Sequence, residues 1–176
     1  MKKKLIIVAS VLIMAILFAV GAYVVKSSKV ESITSQANDK DEPFVRGYSL
    51  VLGNPDAKVT LVEFFDPACE ACRWINPHVK QLLAKYPNKL KLVLRYAPFH
   101  KGADFYVKVL EASRKQGKYS QTLERLYSSQ HHWASNHHAK AELAWGVLKY
   151  TTLDLEQLKK DIELPEMDAI VKQDRV

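Results

Sequence analysis

The chain has 176 residues, a formal net charge of +7 and only two cysteines. Once an apolar N-terminus is set aside, about 130 residues remain, enough for one domain with one core. Five of the basic residues, Lys2, Lys3, Lys4, Lys26 and Lys29, precede residue 30. The remainder is therefore nearly balanced in charge, and the high pI gives no ground for a nucleic-acid partner.

Met1-Lys2-Lys3-Lys4 (1–4) is a positively charged start, expected to stay in the cytoplasm. Leu5 to Val25 (5–25) is apolar except for Ser10, Gly21 and the amphipathic Tyr23. A signal-peptide core runs about 7–15 apolar residues and a spanning helix about 20, so this segment reads as an uncleaved transmembrane anchor. Ala19-Val20-Gly21 keeps a cleaved signal peptide open as the alternative. The three lysines hold the N-terminus inside and place everything after Lys26 outside. Residues 26–43 are polar, with no usable period, and read as a linker. Residues 44–176 are the folded domain.

Within that domain, Tyr48 to Leu52 suits a short strand before the turn Gly53-Asn54-Pro55-Asp56. Val59 to Phe65, VTLVEFF, is nearly all apolar, β-branched or aromatic, which predicts a strand buried on both faces. Asp66-Pro67-Ala68 breaks it, and Cys69-Glu70-Ala71-Cys72 follows. From Cys72 the period changes: Cys72, Ile75, Val79, Leu82, Leu83 and Tyr86 make one helical face. The CxxC pair thus sits where a buried strand turns into a helix N-terminus. Unpaired N–H groups and the helix dipole favour a thiolate there, with Cys69 as the exposed nucleophile and Cys72 resolving its mixed disulfide. The alternative is a structural or metal-binding pair. A structural zinc site needs four ligands, and there is no second CxxC.

Glu63 is a lone carboxylate in an apolar strand. Buried, its pKa rises and it can move the resolving cysteine's proton. On a solvated edge it would be an ordinary surface acid. Pro77 removes one helical hydrogen bond and bends the helix.

Gly53-Asn54-Pro55-Asp56-Ala57, then Val59-Thr60-Leu61-Val62-Glu63-Phe64, then CxxC, resembles the DsbA-like branch of the thioredoxin superfamily. Glu63 lies six residues before Cys69, where that superfamily keeps a buried acid, and Pro77 lies five after Cys72, where many members carry a kinking proline. The resemblance runs from about Gly47 to the end of the chain. It implies an α/β thioredoxin-like fold and thiol–disulfide exchange by Cys69, Cys72 and Glu63, with no cofactor. Its implied partners are cysteine-containing envelope proteins and a membrane redox partner, at the outer side of a bacterial inner membrane. No structural disulfide competes, since both cysteines belong to this pair.

Beyond the CxxC helix, Tyr86-Pro87-Asn88-Lys89 is a breaker and Leu90 to Tyr96 a second strand, giving a parallel βαβ unit. Helices are then predicted over Ala103 to Gln116, Tyr119 to Ser129, His138 to Leu148, Leu155 to Ile162 behind an Asp154/Gln157 capping box, and from Pro165 onward. They resemble the helical subdomain inserted in DsbA-like proteins. A thioredoxin fold would then return to its sheet with a cis-proline, two strands and a closing helix. Here the sequence ends at Gln173-Asp174-Arg175-Val176 in a helical pattern, and none of its seven prolines fits. The expected fold is therefore thioredoxin-like with an inserted helical subdomain, its C-terminal strands and helix missing. That reading includes an inactive fragment as an alternative. His131, His132, His137 and His138 surround Trp133; with the CxxC they suggest a metal-binding or delivery module, against the plainer reading of a polar loop.

Overall fold

The computed structural model describes residues 44–175, together with Ser35–Gln36 and two isolated helical positions, Met14 and Phe18. Apart from Met14 and Phe18, the apolar segment 5–25 lies outside the described residues, as does most of the linker. No helix among the described residues is long and apolar enough to cross a membrane.

The strands are β1 (Ser35–Gln36), β2 (Leu50–Gly53), β3 (Val59–Phe65) and β4 (Leu90–Tyr96), joined in one sheet of order β1-β2-β4-β3. Helix α1 (Glu70–Lys85) connects β3 to β4, which run parallel from Val59↔Leu90 to Phe65↔Tyr96. A parallel pair needs such a crossover, so the predicted βαβ unit is present with its strand limits as read. β2 lies antiparallel on the other side of β4, from Leu50↔Leu94 to Gly53↔Lys91.

Alternation along β4 divides the core. Leu92, Leu94 and Tyr96 join Leu50, Phe65 and the helices in the main cluster, while Val93 meets Val45, Val51 and Val62 on the opposite face. The helices are α2 (Ala103–Lys115), α3 (Tyr119–Ser128), the single turn α4 (Gln130–Trp133), α5 (Ala144–Leu148), α6 (Leu155–Asp161) and α7 (Pro165–Asp174). Asp154 accepts the Gln157 N–H at 3.0 Å, as the capping box requires, but the Gln157 amide turns forward to Asp161 at 2.9 Å instead of closing it. Pro165 opens α7 at a position where its missing N–H has no helical partner to lose.

Three expectations are corrected. β3 is not buried on both faces: among the described residues it pairs only with β4, and Val59 and Phe64 are 56% and 49% exposed. The apolar face of α1 is only partly covered. Cys72, Val79 and Leu83 pack against the core, but no residue of the helix is fully buried and Ile75, Leu82 and Tyr86 stay exposed. The helix expected over His138 to Leu148 begins as β-structure. β5 (Ala134–Ser135) and β6 (His138–Ala139) form a hairpin, and only then come a 3₁₀ turn (Ala141–Leu143) and α5. Its two-residue turn, Asn136-His137, has positive φ at both positions (51° and 60°), the backbone of a tight hairpin that apolar spacing does not reveal.

On the sheet face away from α1, Arg95 is buried and donates to Asp174 Oδ1 at 2.6 Å and to the Phe44 carbonyl at 2.7 Å. Asp174 also accepts Tyr48 Oη at 2.6 Å and the Tyr96 N–H at 2.8 Å, tying the end of α7 to β4.

Candidate active site

The turn between β3 and α1 is built around Asp66, itself 3% exposed. Its Oδ1 accepts the Ala68 N–H at 2.7 Å and its carbonyl accepts the Cys69 N–H at 3.0 Å. From the opposite side Gln130 Nε2 donates to the carbonyls of Pro67 (2.9 Å) and Cys69 (3.1 Å). These bonds fix Cys69 as the N-cap of α1, in extended conformation (φ −79°, ψ 123°), with no side chain capping the helix. The orphan N–H groups of the first turn therefore face the Cys69 side. Glu70 stands exposed in the same turn.

Both cysteines are free thiols and half-exposed. Burial first of all pushes the Cys72 thiol up to about 12; its bond to Cys69 and the Glu63 charge add to this, while the Asp66 backbone works the other way. The Cys72 thiol is therefore protonated near neutral pH.

Glu63, half-buried on β3, is near enough for its charge to act on Cys72. It lines a cavity of about 30 Å³, room for one water, with Leu52, Phe65, Leu94, Tyr119 and Tyr127 among the walls. Burial alone raises its pKa, as expected for a carboxylate among apolar groups. Lys80 lines the same cavity, its own pKa lowered by burial, and it pairs outward with Glu124.

The histidines do not converge. Among the described residues no group of three or more His, Cys, Asp or Glu side chains is placed to hold a metal. His131 and His132 lie side by side on α4 with ring centroids 3.9 Å apart, whereas His137 faces His100, a residue sequence reading passed over. Gln130 was passed over too: it lies 61 residues from Cys69, and no local pattern joins them.

A family model described as thioredoxin matches residues 46–175. The chain belongs to this thioredoxin family. Its DsbA-like character rests on relatives and neighbours that agree. It is 30% identical to a probable disulfide bond formation protein D of Bacillus anthracis, over 92% of this chain and 78% of that protein. A thioredoxin-like oxidoreductase from Silicibacter pomeroyi DSS-3 is 35% identical, with a TM-score of 0.62 over 76% of this chain and 72% of its own. The α-DsbA1 of Wolbachia pipientis, 18% identical, shares the fold at a TM-score of 0.64 over 75% of this chain and 68% of that one. This thioredoxin-family chain is a thiol–disulfide oxidoreductase.

Proposed function

We propose that Cys69-Glu70-Ala71-Cys72 is the redox centre and that Glu63 serves as its proton relay. The observation that carries this reading is the asymmetry of the pair: Cys69 caps a helix N-terminus, while burial holds the proton on Cys72 above an acid whose own pKa is raised. With the pair oxidised, a substrate thiolate attacks Cys69 Sγ. The Cys69–Cys72 bond breaks, and Cys72 leaves as a thiolate that takes a proton from Glu63. A second substrate thiolate attacks the substrate sulfur of the mixed disulfide and releases Cys69 as thiolate. The substrate loses two electrons and the cysteine pair gains them. Run backwards, the same atoms reduce a substrate disulfide, with Glu63 taking the Cys72 proton.

In this account residues 1–4 stay in the cytoplasm, 5–25 anchor the chain in the inner membrane and 26–43 tether the domain outside it. Substrates are envelope proteins with cysteines, and a membrane redox partner restores the pair. No cofactor takes part. Alkylation of the reduced protein with a bulky maleimide, followed by peptide mapping, is expected to label Cys69 first. Faster labelling of Cys72 would reverse the two roles.

A further inference from the structure

The Asp66 carboxylate that shapes the active-site turn is itself held from outside it. Oδ2 accepts both the backbone N–H of His100 and its ring Nδ1, each at 2.8 Å. With Oδ1 on the Ala68 N–H, three donors converge on one buried carboxylate two residues before Ala68 and three before Cys69. The carboxylate fixes the tautomer, since Nδ1 must carry a proton and a neutral His100 is left with an acceptor at Nε2. His137 Nδ1 lies 3.2 Å from that Nε2, with the two rings stacked at 5.2 Å. A hydrogen-bonded chain therefore runs from the backbone next to Cys69, through Asp66 and His100, to an exposed imidazole.

The backbone around this chain is built to hold it. His137 is presented from the positive-φ turn of the β5–β6 hairpin, a conformation costly for most non-glycine residues. The hairpin is zipped to the His100 loop: Lys101 donates to the His137 carbonyl at 3.2 Å and accepts from the Ala139 N–H at 2.7 Å. Gly102 lets the two segments approach, since a Cβ there would collide with the Ala139 carbonyl oxygen. Neither the helix N-terminus nor the Glu63 cavity accounts for this arrangement.

We propose that Asp66 and His100 are positioning residues of the thiol–disulfide reaction, with His137 as the outer member of their clamp. Two consequences follow, and both rest on Cys69 being the reactive thiol. The clamp holds the turn that places Cys69 at the helix N-terminus. It also compensates charge: an unscreened Asp66 carboxylate would oppose a thiolate three residues away, and the imidazole on Oδ2 withdraws that opposition. His137, 3.2 Å from His100 Nε2, holds the imidazole in that place. Other charges on the surrounding elements are Lys101 on the His100 loop, His138 on the hairpin, Glu70 on α1 and the Arg175–Asp104 pair, whose guanidinium also binds the Pro98 carbonyl at 3.3 Å. None of these is hydrogen-bonded to the Asp66 carboxylate, so the clamp is the direct control on it.

The test is thiolate absorbance against pH on the full chain in mild detergent, with unfolding midpoints measured in parallel. His100→Phe is expected to move the Cys69 titration to higher pH by at least about threefold in proton affinity, about half a pKa unit. In an Asp66→Asn background the same substitution should move it less than twofold, because no carboxylate charge is left to screen. His137→Gly, which suits the positive φ, should give a smaller shift in the same direction without loss of stability. Equal shifts in both backgrounds would reduce the clamp to a structural support and overturn the proposal. So would an unmoved titration in both His100→Phe and His137→Gly. If the unaltered protein fails to exchange with glutathione at Cys69, the redox centre itself is wrong and the clamp falls with it. Normal exchange with an unmoved titration removes the clamp alone.

Discussion

Asp174→Ala is expected to destabilise the domain by about 3–5 kcal/mol, the usual cost of leaving one member of a buried ion pair without its partner. Asp174 and Arg95 side chains are 1% and 5% exposed, so water cannot replace the lost contact. The substitution removes the acceptor of the Arg95 Nε–H, the Tyr48 hydroxyl and the Tyr96 N–H together. Arg95 would keep only the Phe44 carbonyl and the faces of Tyr48 and Phe64. Urea unfolding followed by circular dichroism measures the effect. Asp174→Leu combined with Arg95→Met should recover part of the loss, since no charge is left buried and unpaired while the Tyr96 N–H and Tyr48 hydroxyl still lack their acceptor. A single-variant loss below about 1 kcal/mol would mean that the end of α7 is not docked on β4 as described.

Glu63→Gln is expected to separate activity from stability. Proton transfer by a placed side chain is worth about 10²–10⁴-fold, so resolution of the Cys69 mixed disulfide should slow by about 10²-fold or more. Stability should change in the opposite direction. Burial raises the folded-state pKa above the ordinary 4.5, so near pH 4 the carboxyl is largely protonated and the substitution is nearly neutral. As pH rises through the raised folded value, the native state must hold a carboxylate in the cavity and loses stability; glutamine removes that loss. The unfolding midpoint of Glu63→Gln should therefore exceed the unaltered protein's near pH 7 and match it near pH 4. Stopped-flow release of a glutathione adduct and calorimetry at the two pH values test the halves independently. An unchanged resolution rate would remove Glu63 from the reaction, whatever the midpoints show.

Much of the site was legible because its parts are consecutive. A seven-residue apolar strand, a Pro-containing break and a change of period at Cys72 lie side by side, so the location of the CxxC pair follows from local pattern alone. Glu63 was legible for the same reason, being the one charge in that strand. The solvation of β3 was not, because alternation and composition do not say whether a second neighbour pairs with its outer edge. The Asn136-His137 turn, just ahead of the expected helix, draws its first residues His138–Ala139 into a hairpin; His and Asn accept positive φ more readily than most residues, a weak signal beside the apolar spacing of Ala141, Ala144 and Leu148. Gln130 and His100 escaped entirely, and His137 was read only as one of a histidine cluster. They reach the Cys69 turn across 30 to 70 residues of chain, through contacts that only the folded α4 turn, the His100 loop and the β5–β6 hairpin create.

Whether Cys69 and Cys72 act as one redox pair in which Cys69 meets the substrate is decided by mixing reduced protein with glutathione disulfide, quenching with acid over time and resolving the products by intact mass and peptide mapping. A transient single glutathione adduct on Cys69 is expected, replaced by an internal Cys69–Cys72 disulfide that accumulates without adduct. Stable adducts on both cysteines with no internal disulfide, or a transient adduct found on Cys72, would contradict that course.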